Sequence, residues 1–161
     1  AGTWRTLTDC TDASGNHLNY TQSTNSFSCG TSTSASFSTA VGSFTRDTTT
    51  ASGTQAVTGV GFQPEAVLFL AAGSGTAEAS TGFDNNTADG ALSDAQNETA
   101  SVWEVGAGSG SSILLKESST LRYEGEISAL GSDGFTITWT RTSTPSGTVT
   151  VYYMAFNLSG S

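Results

Sequence analysis

Apolar and polar residues alternate most clearly over the last 42 residues. Leu121, Tyr123 and Ile127 interleave with Arg122, Glu124, Glu126 and Ser128; Phe135, Ile137 and Trp139 with Thr136, Thr138 and Thr140; Val149, Val151 and Tyr153 with Thr150, Tyr152 and Met154. A period of two turns one row toward a core and the other toward solvent or a partner. Turn residues separate the runs. Gly131-Ser132-Asp133-Gly134 offers two glycines for positive φ, and Thr144-Pro145-Ser146-Gly147 suits a type I turn. The pattern predicts an antiparallel meander of three strands near 120–129, 134–141 and 148–157. Upstream, Gln55–Val60, Ser101–Val105 and Ser112–Leu115 are further strand candidates. The continuous apolar run Ala66-Val67-Leu68-Phe69-Leu70 predicts a strand buried on both faces. Only Asp89–Glu98 offers a helical turn or two, without a full apolar stripe. Many short strands broken by glycine predict an all-β fold, an antiparallel β-sandwich or jelly-roll-like domain over 41–161.

Residues 1–40 follow another pattern. After Trp4 and Leu7 the apolar positions thin to Leu18, Tyr20, Phe27 and Phe37, set among Thr, Ser, Asn and Gly. This reads as an extended arm or a small looped subdomain, with 31–36 as a linker. Cys10 and Cys29 bracket 18 residues of it. A disulfide stapling a stretch with little core is the favoured reading, two free thiols the alternative. Trp4 is a candidate to dock on a neighbour, since aromatics anchor interfaces.

Composition narrows the function. The 27 Thr and 25 Ser make the chain polar through hydroxyls, while only 12% of residues are charged. Fourteen acidic against five basic residues give a net charge of −9. Nucleic-acid binding needs clustered Lys and Arg, which are missing, and the negative charge repels anionic surfaces. No apolar run approaches the ~20 residues of a membrane-spanning helix, so membrane insertion is not expected. The chain opens on Ala1 with no visible leader, so processing of a precursor and simple removal of Met both stay open.

Candidate chemistry is sparse. His17 is the only histidine, and no G-x-S-x-G elbow accompanies it, so no catalytic residue is expected and the chain is read as not an enzyme. Glu124 and Glu126 share a strand face with Arg122. That row is a solvated face or an ion-pair row at a subunit interface, rather than a glycosidase pair, which needs a cleft. The run Asp84–Gly90 clusters hard oxygens, and Asp84, Asn86 and Asp89 are a weak calcium candidate. Its spacing misses the EF-hand pattern, and such residues are also ordinary turn formers. No other metal and no cofactor is expected. Asn19, Asn85, Asn97 and Asn157 head N-x-[ST] sequons, only a mild excess over chance in a chain this rich in Ser and Thr. Phe135 and Trp139 belong to the core row, and Trp103 is ambiguous. Tyr152, Met154 and Phe156 form the opposite row of the last strand: a second buried face, an oligomer contact or a sugar-stacking platform.

Three segments carry a family likeness. Thr58-Gly59-Val60-Gly61-Phe62-Gln63-Pro64-Glu65-Ala66-Val67-Leu68-Phe69 resembles a "TGVGFQPKAVIF" segment of small structural proteins of tailed phages and prophages. Ser132-Asp133-Gly134-Phe135-Thr136-Ile137-Thr138-Trp139 resembles their "DADGFTLNW" segment. Tyr152-Tyr153-Met154-Ala155-Phe156 falls where they show a terminal "HYLAL" strand. Glu65 replaces a frequent Lys, Tyr152 stands near a usual His, and residues 1–40 have no counterpart. The resemblance spans about 41–158. It implies a virion structural role as capsid decoration, turret, spike or tail-fibre component, with no catalytic residues to carry over. The expected partners are further copies of the chain, other virion proteins and a host surface glycan or receptor, at the virion surface or outside the cell. The interface candidates are Trp4, Arg122, Glu124, Glu126, Tyr152 and Phe156. The alternative is a carbohydrate-binding or adhesion module of a secreted or cell-surface protein.

Overall fold

A computed structural model describes residues 16–31, 37–73, 78–97, 100–106, 110–116 and 121–158. Among them every regular element is a strand, and all pairings are antiparallel. The chain divides into two units, 1–36 with 159–161, and 37–158.

In the first unit, β1 (Asn16–Thr21) and β2 (Ser26–Thr31) form a hairpin. Tyr20 stands opposite Phe27 and Leu18 opposite Cys29, so the larger apolar residues share one face. The Tyr20 and Phe27 rings lie 5.0 Å apart, and Tyr20 Oη donates to Asn25 Oδ1 in the turn (2.6 Å). Leu18, Tyr20 and Phe27 are each more than half exposed. In the sequence this hairpin reads as an arm or looped subdomain, because each strand holds only two apolar residues.

The second unit is a β-sandwich. One sheet has the order β4 (Gly53–Thr58), β11 (Gly134–Thr142), β10 (Arg122–Gly131), β9 (Ile113–Lys116). The other runs β3 (Ser38–Asp47), β12 (Thr148–Asn157), β5 (Ala66–Gly73), β6 (Glu78–Asp84), β7 (Asp89–Asn97), β8 (Ala100–Gly106). β3 takes in Ser38–Ala40, which the sequence assigns to the arm.

Two expectations are corrected here. β10 and β11 pair as a hairpin, but β12 leaves them for the other sheet, between β3 and β5. The five-residue connection Ser143–Gly147, with positive φ at Ser143 (63°) and Gly147 (104°), carries the chain across instead of folding it back. Asp89–Glu98 gives strand β7 instead of a helical turn. Ala91 and Ser93 face inward and Leu92 outward, the period of a strand.

The core lies between the sheets. Val57, Tyr123, Ile127, Phe135, Ile137 and Trp139 of one sheet meet Val67, Phe69, Val149, Val151 and Ala155 of the other. Trp139 stacks on Tyr123 at 5.1 Å, and the Arg46 guanidinium sits about 6 Å from both rings while its Nε donates to Tyr123 Oη (2.8 Å). Gln55 Oε1 accepts the Trp139 indole N–H (3.0 Å), so the buried ring keeps its one polar atom satisfied.

Candidate functional site

The outer face of the six-stranded sheet is where the strand pattern leaves apolar surface open. Antiparallel register sets its side chains in rows across the strands. One row reads Ser43, Tyr152, Leu70, Thr81, Leu92; the next reads Val41, Met154, Leu68, Phe83. Val105 stands opposite Leu92 in the backbone register, and Trp103 opposite Asp94. Val41 is 72% exposed, Leu70 54%, Tyr152 53% and Met154 42%, with Leu68, Phe83 and Leu92 close to half exposed. A groove of about 640 Å³ runs between Val41, Ser43, Leu68, Leu70, Tyr152 and Met154. The rows on either side carry Thr45, Thr150, Ala72, Ala79 and, by register, Asp94, then Thr39, Phe156 and Ala66. Phe156 is half-buried, its ring 6.1 Å from Phe37.

The run Ala66–Leu70 is therefore buried on one face only. Val67 and Phe69 point into the core, Leu68 and Leu70 away from it. Among the described residues Tyr152 and Met154 likewise form no second buried face. Of the interface candidates, Tyr152 and Phe156 lie on this face, while Arg122, Glu124 and Glu126 lie on the outer face of the other sheet.

There Arg122 Nε pairs with Glu124 at 3.3 Å. Glu126 does not extend the pair. Burial pushes its carboxyl up, with the charges of Asp89 and Asp84 adding to the effect. A raised carboxyl binds its proton more tightly folded than unfolded, so its contribution is favourable at low pH and is lost as pH rises through the folded value. Glu126→Gln should thus raise the melting temperature slightly at pH 7, within about 0.5 kcal/mol for so exposed a site, and leave it unchanged at pH 3. Thermal scans at the two pH values check this.

The Asp84–Gly90 segment is closed by its own side chains. Asp84 Oδ1 accepts Asn86 N–H (2.7 Å), and Asn85 Oδ1 accepts the N–H groups of Thr87 (3.0 Å) and Ala88 (2.6 Å). Asp84 Oδ2 accepts Ile127 N–H (2.7 Å), and Asp89 Oδ2 accepts Gly110 N–H (2.8 Å). Of the oxygens that suggested calcium, both of Asp84 and one of Asp89 are engaged by backbone donors, the first as in an Asx turn. Among the described residues no group of three or more His, Cys, Asp or Glu could hold a metal ion.

The Thr58–Phe69 and Ser132–Trp139 segments meet. The Asp133 carboxylate accepts N–H from Gly59 (3.0 Å) and Gly61 (2.7 Å), and its carbonyl accepts Val60 N–H (3.1 Å). Gly59 and Gly61 stand at φ of 85° and 86°, which L side chains rarely adopt. The glycine pair and the Asp before Gly134 thus build one clasp between the β4–β5 and β10–β11 connections, a structural role. Asp133→Ala should cost about 1–2 kcal/mol, read as a lower urea midpoint. The spacing of Gly59 and Gly61 was the available signal, but only the fold shows which carboxylate answers it.

Trp4 and Cys10 lie outside the described residues, as do the linker positions 32–36. His17 lies on β1 and Cys29 on β2. Searches of protein-family models, curated proteins and solved structures gave no match to the chain. Fold and surface alone define the class, an all-β antiparallel sandwich with one open apolar sheet face.

Proposed function

We propose that the chain is a structural, non-enzymatic subunit on the exterior of a tailed-virus particle, a capsid decoration, turret, spike or tail-fibre component. It acts by assembly and surface display. One observation carries the reading: an apolar sheet face, uncharged in its two central rows, stays open on a chain rich in hydroxyl side chains. A monomeric soluble domain rarely exposes a contiguous apolar patch beyond roughly 300–600 Å², and a larger one marks a site of association. The family likeness supplies the setting. Trp4 and a Cys10–Cys29 staple belong to the same proposal, as parts of an arm reaching a neighbouring subunit.

The carbohydrate-binding alternative draws on Tyr152, exposed beside the groove. A sugar platform pairs aromatic faces with converging polar groups. Here Tyr152 stands among Leu, Met and Val with only Ser43 and Thr81 as polar side chains at the groove, which favours protein as the occupant.

Immunogold labelling of particles released from cells that express the chain tests the reading. Regular labelling of particle surfaces is the expected result. Unlabelled particles, together with retention of the purified chain on glycan columns, would overturn it in favour of the binding module. Release of reducing ends from polysaccharide would overturn it in favour of an enzyme.

A further inference from the structure

We infer that the outer face of the six-stranded sheet is a homotypic interface, packing against the same face of a second copy of the chain about a two-fold axis near β5. The inference deepens the assembly reading and rests on it.

Area is the first argument. Seven large side chains, each about half exposed or more, leave on the order of 700 Å² of apolar surface open, against the ~800 Å² per partner of a stable interface. The arrangement also has the anatomy of an interface, with large apolar residues in the two central rows and mainly Thr and Ala, with Phe156 and Asp94, in the rows beside them.

Charge then selects the occupant. Copies carrying −9 each repel one another wherever carboxylates face each other. The described side chains of the two central rows, from Val41 to Leu92, include no charged group. The acidic residues lie outside these two rows; by register Asp94 follows Ala79 in the row beside them, on the fifth of the six strands. Asp84 is buried, Glu124 and Glu126 lie on the other sheet, and Asp47, Glu65 and Asp133 lie at strand ends and turns. A basic or acidic partner would call for opposite charges at the centre, and the two central rows offer none. The complement of these rows is apolar and uncharged, which describes the rows themselves.

Geometry permits the pairing. Two sheets stack face to face about 10 Å apart with strands within about 30° of each other, as the two sheets of one sandwich do. Leu68 and Leu70, on the third of six strands, are then central, and the groove beside Tyr152 receives side chains of the second copy. The apolar run Ala66–Leu70, patterned for burial on both faces, gains its second cover.

Sedimentation equilibrium on the full chain at tens of micromolar tests the inference. The expected result is twice the 16.4 kDa chain mass. Leu70→Lys places an unpaired charge at the centre and should raise the dissociation constant at least about 100-fold. Leu70 is 54% exposed in the single chain, so circular dichroism should stay unchanged. Thr140→Lys, on the exposed face of the other sheet, should leave the dimer intact. A monomeric wild type, a trimer or pentamer, or a Leu70→Lys protein that still dimerises would each overturn the pairing. A monomer that labels particles overturns the pairing alone. A dimer that labels none overturns the virion reading alone.

Discussion

Replacing Gly82 by alanine is expected to cost about 3 kcal/mol or more, enough to leave much of the protein unfolded if its stability is typical. Gly82 lies on β6 on the inward side, where the chain entering β9 crosses directly above it. A Cβ built at Gly82 runs into the Ser112 carbonyl oxygen and stands 2.6 Å from the Gly90 carbonyl oxygen. Both obstacles are backbone, so no rotamer change relieves them. Ser112 cannot retreat easily, because its N–H and its hydroxyl both donate to the Gly125 carbonyl, at 2.8 and 3.0 Å. Urea denaturation reads the effect as a large drop in midpoint. A midpoint equal to that of the wild type would mean that β9 does not lie against β6.

Asp84→Ala should cost about 2–4 kcal/mol, from two lost acceptor positions and a buried donor left without a partner. The cause lies in unequal strand lengths. β9 pairs with β10 only from Arg122 to Gly125, so β10 continues past its neighbour. Its register with β11 then shifts between Ile127 and Ala129. Ile127 N–H is left inside the sandwich with no strand to receive it, and the carboxylate of Asp84, 1% exposed, reaches across from the other sheet to accept it. Asp84→Asn keeps one oxygen but turns an amide N–H₂ toward one of two donors, so its cost should fall below that of alanine. Native-state hydrogen exchange gives a local check, since the Ile127 amide should exchange faster in both variants. Protection unchanged at Ile127 would show that the carboxylate is not its partner.

Legibility in the sequence followed the range of the interactions. Period-two alternation depends on neighbours two residues apart, and it located β10, β11 and β12 to within two residues at either end. The all-β class followed from repeated strands and turns. Which sheet β12 joins was not legible, because the decision lies in a five-residue connection whose turn chemistry fits a hairpin as well as a crossing. The strand at Asp89–Asn97 was hidden because its inward positions are Ala91 and Ser93, too small and too polar to read as a core row. The open face was half legible. Both rows of β12 are apolar and the β5 run is continuous, which signals burial on both sides, but no local pattern says whether the second cover comes from the same chain. The Asp84 and Asp133 contacts reach across 43 and 72 or more positions, and their residues looked like ordinary turn formers.

The strand order has a consequence for how the protein is made. β3 finds its neighbour only in β12, with Ser38 facing Asn157, and β4 only in β11. Both early strands wait for the late ones, so during synthesis the four-stranded sheet cannot close until β11 has left the ribosome, nor the six-stranded sheet until β12 has. Until then β5 and β3 each lack the neighbour that β12 supplies, and their apolar residues are exposed as unpaired edges. Such long-range closure places the domain among slow folders, on the millisecond-to-second scale. A chain stalled before β12 is an aggregation hazard, which a charge-poor, hydroxyl-rich sequence tempers only in part.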